Sequence, residues 1–194
     1  MCCENCKSRI IEEAIELGRD YEMKYVGCAQ SSFSAAIDAL RRAGIELIDE
    51  KVEEIFFKAL VGVSGGVGAT GRGSCGAVTG ASLVVSLATG VGREEQERDP
   101  SSRAISYENV RKYVVNRFLE RFGGITCREI QLSRFGKAWD MSRPDVIQDF
   151  RRNELENCRT PDGRTVRDCT IALAAGWAVE GVLEILKGKY VRKS

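Results

Sequence analysis

The chain has 194 residues, 43% hydrophobic and 29% charged, with a formal net charge of +1. That length fits one domain able to bury a hydrophobic core, and the balanced charge gives no electrostatic support for a general role on nucleic acid or a membrane surface. Histidine is absent, which excludes histidine-ligated haem, mixed cysteine-histidine zinc sites and any triad built on an imidazole base, so ordinary hydrolase chemistry is not expected.

The N-terminal Met1-Cys2-Cys3-Glu4-Asn5-Cys6 lacks the basic start and apolar stretch of a secretory signal, and no apolar run reaches membrane-spanning length, so a cytoplasmic address is expected. Ile10, Ile11, Ala14, Ile15 and Leu17 recur at helical spacing and predict a first amphipathic helix ending near Gly18. A second helix follows Gly27, carries Phe33, Ala36, Ile37 and Leu40, and stops at Gly44. A third starts after Asp49, a suitable N-cap, and runs through Val52, Ile55, Phe56 and Leu60. Glycines then crowd residues 62–73, breaking the helix and letting backbone approach something closely.

A buried helix is predicted from Cys75 towards Gly90, followed by a polar charged loop over residues 93–103 in which Glu94, Glu95, Glu97 and Asp99 read as solvated. Tyr107, Val110, Val114, Phe118 and Leu119 mark a long helix stopped by Gly123-Gly124. After a short helix at Cys127, residues 133–157 are irregular in pattern, with a helix near 146–155. The last helix is predicted over 165–187, where alanine and glycine suggest close helix-helix packing. No alternating strand pattern or internal repeat is visible, so an all-α bundle is expected. One domain over 1–194 is expected, its core at about 7–187, with the cysteine cluster at 2–6 and the tail at 188–194 flexible.

Eight cysteines are many for this length, and in a reducing compartment they read as metal ligands or redox groups before structural disulfides. Cys28 and Cys75 fall at predicted helix heads, and Cys127 follows Thr126, which with Glu129 forms a capping-box pattern. Cys158 precedes the turn Thr160-Pro161-Asp162-Gly163. Helix N-termini stabilise thiolate, the form that binds metal or attacks disulfides, and Arg72, Arg128 and Arg159 lie near enough in sequence to lower the thiol pKa values further. Cys169 follows helical spacing with Val166 and Leu173 and reads as core. Cys2, Cys3 and Cys6 form a CxxC with an extra neighbour and no second CxxC to complete a zinc ribbon.

The segment Cys75-Gly76-Ala77-Val78-Thr79-Gly80, with Gly27-Cys28-Ala29 upstream and Arg121-Phe122-Gly123 before Cys127, resembles the C_GCAxxC_C_C family of redox-active proteins over roughly residues 20–185. The family is marked by a CGAxxG motif and widely separated cysteines, matched here by Cys28, Cys75, Cys127 and Cys158. Related domains occur in split-Soret cytochromes, so the resemblance implies redox chemistry and an iron-sulfur centre, but without their bis-histidine haem ligation. The GCAxxC of the family name reads Gly27-Cys28-Ala29-Gln30-Ser31-Ser32 here, which implies that Cys28 pairs across the fold.

The leading expectation is that thiolates of Cys28, Cys75, Cys127 and Cys158 converge on a two-iron or four-iron cluster for electron transfer or redox sensing. Gly66, Gly68, Gly71, Gly73 and Gly76 would then wrap close to it and offer N–H groups to sulfide. A protein redox partner, and a second copy of the chain, are the expected partners. The alternative is metal-free thiol-disulfide chemistry by the same cysteines. A structural zinc site in a helical interaction module ranks third, because structural zinc ligands usually come in closely spaced pairs. Gly66-Val67-Gly68-Ala69-Thr70-Gly71 also satisfies GxGxxG, but the segment before it reads as helix and no strands follow, so a dinucleotide loop is not favoured.

Overall fold

A computed structural model describes residues 4–157 and 169–191. Helix α1 (Glu4–Tyr25) continues through Gly18, where the sequence predicts a stop. Gly18 is the point at which α1 meets the last helix, α10 (Thr170–Val191): a Cβ there would lie 2.8 Å from the Cα of Ala172. Gly176 on α10 returns the arrangement, since its Cβ would lie 2.8 Å from Cγ1 of Ile15. The glycines of both helices therefore serve the close packing expected of the last helix.

Helix α2 (Cys28–Arg42) starts after Gly27 as predicted, and α3 (Glu50–Val61) is capped by Asp49, whose side chain accepts a hydrogen bond from the Val52 N–H. Beyond the glycine-rich segment, α4 (Gly76–Thr89) ends at Gly90 with φ of 71°. Residues 93–103 depart from the loop expectation. They form α5 (Arg93–Arg98) and a short 3-10 turn (Pro100–Ser102), because the Glu95 carboxylate accepts from Gly92 N–H at 2.9 Å and Asp99 accepts from Ser101 N–H at 2.9 Å. Two local acidic caps thus satisfy helix-start donors that a loop would leave to water.

The long helix expected around Tyr107–Leu119 is divided into α6 (Arg103–Val110) and α7 (Asn116–Phe122) by a widened π turn (Arg111–Val115). Tyr113 of that turn packs against Gly181, where an added Cβ would sit 2.9 Å from Cβ of Tyr113. Helix α8 (Cys127–Phe135) follows, and α9 (Pro144–Asn157) fills much of the segment whose pattern was irregular, with proline at its first position.

Helices α1, α2, α4 and α10 pack on one another around Phe33, Ile37, Leu40, Val84, Val85 and Val179, all essentially inaccessible to solvent. Each such side chain contributes about 1.5–3 kcal/mol of burial. A smaller cluster joins Cys127, Trp139 and Met141 with Phe135 and Phe150, whose rings meet edge to face. Among the described residues no strand forms, in keeping with the all-α expectation, and no helix is long and apolar enough to cross a membrane.

The tightest crossing is α4 on α2. A Cβ on Gly80 would overlap the Ala29 carbonyl oxygen and Ser32 Oγ, and would lie 3.1 Å from Phe33 N. Overpacking there is expected to cost about 1–3 kcal/mol. Gly80→Ala should therefore lower the urea-unfolding free energy by that amount. Gly62→Ala is the matched control, because Gly62 has φ of −70° and nothing within 4 Å of an added Cβ; it should leave stability almost unchanged.

Candidate thiol site

Cys28 is the first residue of α2, Cys75 the N-cap of α4 and Cys127 the first residue of α8, so three thiols occupy helix heads as the sequence predicts. Their meeting depends on two backbone devices. The first is Gly76, where a Cβ would fall on Cys28 Sγ and lie 2.8 Å from Ala29 N, so glycine alone lets the head of α4 rest against the head of α2. Gly76 and Gly80 are four residues apart and share one helix face. The second is an isolated antiparallel bridge between Ser74 and Thr126. In it Cys75 N–H donates to Ile125 C=O at 2.9 Å and Cys127 N–H to Gly73 C=O at 3.0 Å, clasping the heads of α4 and α8.

The α8 head is further defined by a capping box, with Glu129 N–H donating to Thr126 Oγ1 and the Glu129 carboxylate accepting from Thr126 N–H at 2.9 Å. At α2 the free N–H of Ala29 donates to Ser64 Oγ at 3.1 Å, and the Ser64 hydroxyl donates to Gln30 Oε1 at 2.8 Å. This ties the glycine-rich segment to the helix start. Gly65 N–H then points at Cys28 Sγ, 3.5 Å away.

The three thiols differ in charge. Cys28 is lowered to about 6, first by a hydrogen bond from Cys75, then by the Gly65 and Gly76 N–H groups, acting against burial. Cys75 is raised by the same hydrogen bond and by burial. Cys127 is pushed up to about 12 by burial and by the neighbouring Cys28 charge, although Gln131 Nε2 donates to its sulfur at 3.3 Å. The surroundings therefore favour the charged form at Cys28 and the neutral form at Cys75 and Cys127. Arg72 and Arg128, expected to lower Cys75 and Cys127, are exposed to solvent, and burial raises both thiols.

All three sulfur residues line one cavity of about 280 Å³. Its walls are mostly apolar, with Ile130, Phe135, Ile147 and Phe150 prominent. The polar groups on it include Ser64, Glu22, Gln131, Arg151, and the buried pair in which Arg134 Nη1 donates to both Glu154 carboxylate oxygens at 2.6 Å and to Thr170 Oγ1 at 2.8 Å. Gln131 also accepts from Trp139 N–H at 2.7 Å, which holds its amide against Cys127. Glu22 was not legible as a site residue while the first helix was ended at Gly18. Its signal is positional, because residues 14, 18 and 22 are spaced by four along a face whose other two members, Ala14 and Gly18, are buried and apolar.

Of the glycines expected at a cofactor, Gly66 lies against Cys127, with 2.8 Å between an added Cβ and that of the cysteine, and Gly76 against Cys28. Gly71 faces the Trp139 carbonyl, Gly73 faces Gly66, and Gly68 is open. Most of the segment's N–H groups are not offered outward: Gly68 donates to Gly62, Gly71 to Gly65, Gly73 to Gly66 and Ala69 to Ser64. The same closure and the helices on either side exclude a dinucleotide loop. Among the described residues no group of three or more cysteines or carboxylates is arranged to hold a metal ion. Cys158, Arg159, Cys2 and Cys3 lie outside the described residues. Cys6 is exposed on α1, and Cys169 is fully buried in the main core, as its spacing predicts.

Residues 26–171 match the family model described as "Putative redox-active protein (C_GCAxxG_C_C)". The GCAxxG motif closes on glycine, not cysteine; Gly27-Cys28-Ala29-Gln30-Ser31-Ser32 carries its first three letters and has serine at the closing place. Cys75-Gly76-Ala77-Val78-Thr79-Gly80 carries its alanine and closing glycine, with the first two letters in the reverse order. No curated protein and no solved structure matches the chain.

If the Cys75 hydrogen bond is the main cause of the Cys28 shift, Cys75→Ala should move the midpoint of Cys28 alkylation by iodoacetamide from near 6 towards the ordinary thiol range. At pH 7 the rate should fall about tenfold. Peptide mapping across a pH series checks this, and an unmoved midpoint would assign the shift to the backbone donors instead.

Proposed function

Because the chain belongs to the C_GCAxxG_C_C family of redox-active proteins, we propose that it is a thiol-disulfide redox protein in which Cys28 is the attacking thiolate and Cys75 the resolving thiol. One observation carries the reading: the heads of α2 and α4 bring the Cys28 and Cys75 sulfurs within hydrogen-bond reach of each other on the wall of one cavity, an arrangement that favours a lowered pKa at Cys28. A depressed thiol near ambient pH combines a high thiolate fraction with retained nucleophilicity. Cys28 is half-buried and opens on the cavity, whereas Cys75 is 5% exposed. An incoming disulfide therefore meets Cys28 first. The Cys75 sulfur, already within hydrogen-bond reach, then attacks the Cys28 sulfur of the mixed disulfide and closes the Cys28–Cys75 bond. Regeneration requires an external dithiol, for which a protein reductant is the fitting class. Cys127, held as a neutral thiol by burial, has no required part in this cycle.

A second reading, an iron-sulfur cluster for electron transfer, is supported by the convergence of Cys28, Cys75 and Cys127 on one cavity and takes Cys158 as its fourth ligand. It ranks below the first because it needs three or more donors gathered on one ion, a grouping not found among the described residues, while dithiol chemistry needs only the pair in contact.

Mild oxidation with diamide followed by peptide mapping should yield a Cys28–Cys75 disulfide in the wild type and in Cys127→Ser. Neither Cys28→Ser nor Cys75→Ser should give it. Failure to form this bond, with iron and labile sulfide present in anaerobically prepared protein, would replace the thiol reading with the cluster.

A further inference from the structure

Glu22 is 8% exposed, lines the same cavity as the three thiols, and has a carboxylate oxygen, Oε2, that is buried without a hydrogen-bond partner among the described residues. Unpaired buried polar atoms are uncommon in native proteins and call for an explanation. Neither the cysteine motif nor the matched span, which begins at residue 26, assigns this side chain a role. Arg134 on α8 donates through Nη1 to Glu154 of α9 and to Thr170, and acts on Glu22 through its charge rather than through a hydrogen bond.

We propose that Glu22 is the general acid of the thiol site, donating its proton to the sulfur that leaves when Cys28 opens a small, uncharged disulfide bound in the cavity. The inference rests on the thiol-disulfide reading above. In the first step the Cys28 thiolate forms a bond to one substrate sulfur and the substrate S–S bond breaks. The departing sulfur takes the electron pair and the Glu22 proton, leaving a carboxylate. In the second step the Cys75 sulfur attacks Cys28, the second substrate sulfur departs with the proton that Cys75 releases, and the Cys28–Cys75 disulfide remains. Two electrons pass from the dithiol to the substrate, and solvent reprotonates Glu22, matching the proton that Cys28 lost on ionising.

The surroundings keep Glu22 in the acid form. Burial raises its pKa most, followed by Glu154 on α9, Cys28 on α2 and Cys169 beside α10, while Arg134 on α8 acts in the opposite direction. A cavity of about 280 Å³ with mostly apolar walls admits a small molecule whose bulk is apolar, and Arg151 of α9 is the other cationic side chain on its lining. The reaction should therefore rise with pH as Cys28 ionises and fall again as Glu22 loses its proton, giving a bell-shaped profile.

The test compares two reactions of the pre-reduced full chain over a pH series. Single-turnover reduction of bis(2-hydroxyethyl) disulfide needs a proton on the leaving sulfur. Alkylation of Cys28 by iodoacetamide does not, because iodide leaves unprotonated. In Glu22→Gln, disulfide reduction should fall about 100-fold and lose the alkaline limb, while alkylation stays within about twofold. Glu22→Asp should recover part of the rate and restore the limb. Reduction at the wild-type rate in Glu22→Gln, or equal losses in both reactions, would overturn the role of Glu22. A wild type that is alkylated at Cys28 yet never reduces the probe or forms the Cys28–Cys75 bond overturns the thiol reading and this inference with it.

Discussion

Bringing the heads of two helices into sulfur contact is a demand on backbone distance before it is one on chemistry. Ordinary side chains hold packed helices 8–10 Å apart between axes, and the first turn of α4 could not then reach that of α2. Gly76 and Gly80 remove the obstructing Cβ atoms on the facing side, and the Ser74–Thr126 bridge holds the α4 head while α8 is clasped to it. The CGAxxG motif thus has a mechanical meaning: its cysteine supplies the sulfur, and its two glycines set how closely that sulfur approaches Cys28.

Convergence of helix heads also governs charge. The positive ends of α2, α4 and α8 favour a thiolate nearby. Burial opposes every such charge, and one thiolate raises the cost of a second. The outcome is asymmetric, with Cys28 lowered and Cys75 and Cys127 raised. A nucleophile and a neutral resolving thiol are therefore distinguished by environment, although both are cysteines at helix starts.

The polar groups around the cavity do not contribute to stability in any simple way. A buried ion pair such as Arg134–Glu154 gains Coulomb attraction against a comparable desolvation cost, and an unpartnered Glu22 oxygen costs about 1–3 kcal/mol. Their placement beside the thiols, on the wall shared by α1, α8 and α9, makes sense as control of protons and charge at the site.

Helical periodicity exposed the all-α architecture because each amphipathic face must be buried, and the capping residues Asp49 and Thr126 were readable because N-cap chemistry is local. Cysteines at helix starts could likewise be read along the chain. Tertiary packing decided the rest. Gly18 looks like a helix stop until α10 is seen to lie against it, and the arginines near Cys75 and Cys127 in sequence proved exposed while burial raises both thiols. Which cysteines touch, and that Glu22 shares their cavity, depends on distances between helices remote in sequence. Sequence by itself therefore determined the helices and the residue types available for chemistry; only the packed structure decided their proximity and charge, because those arise from through-space contact and the exclusion of water.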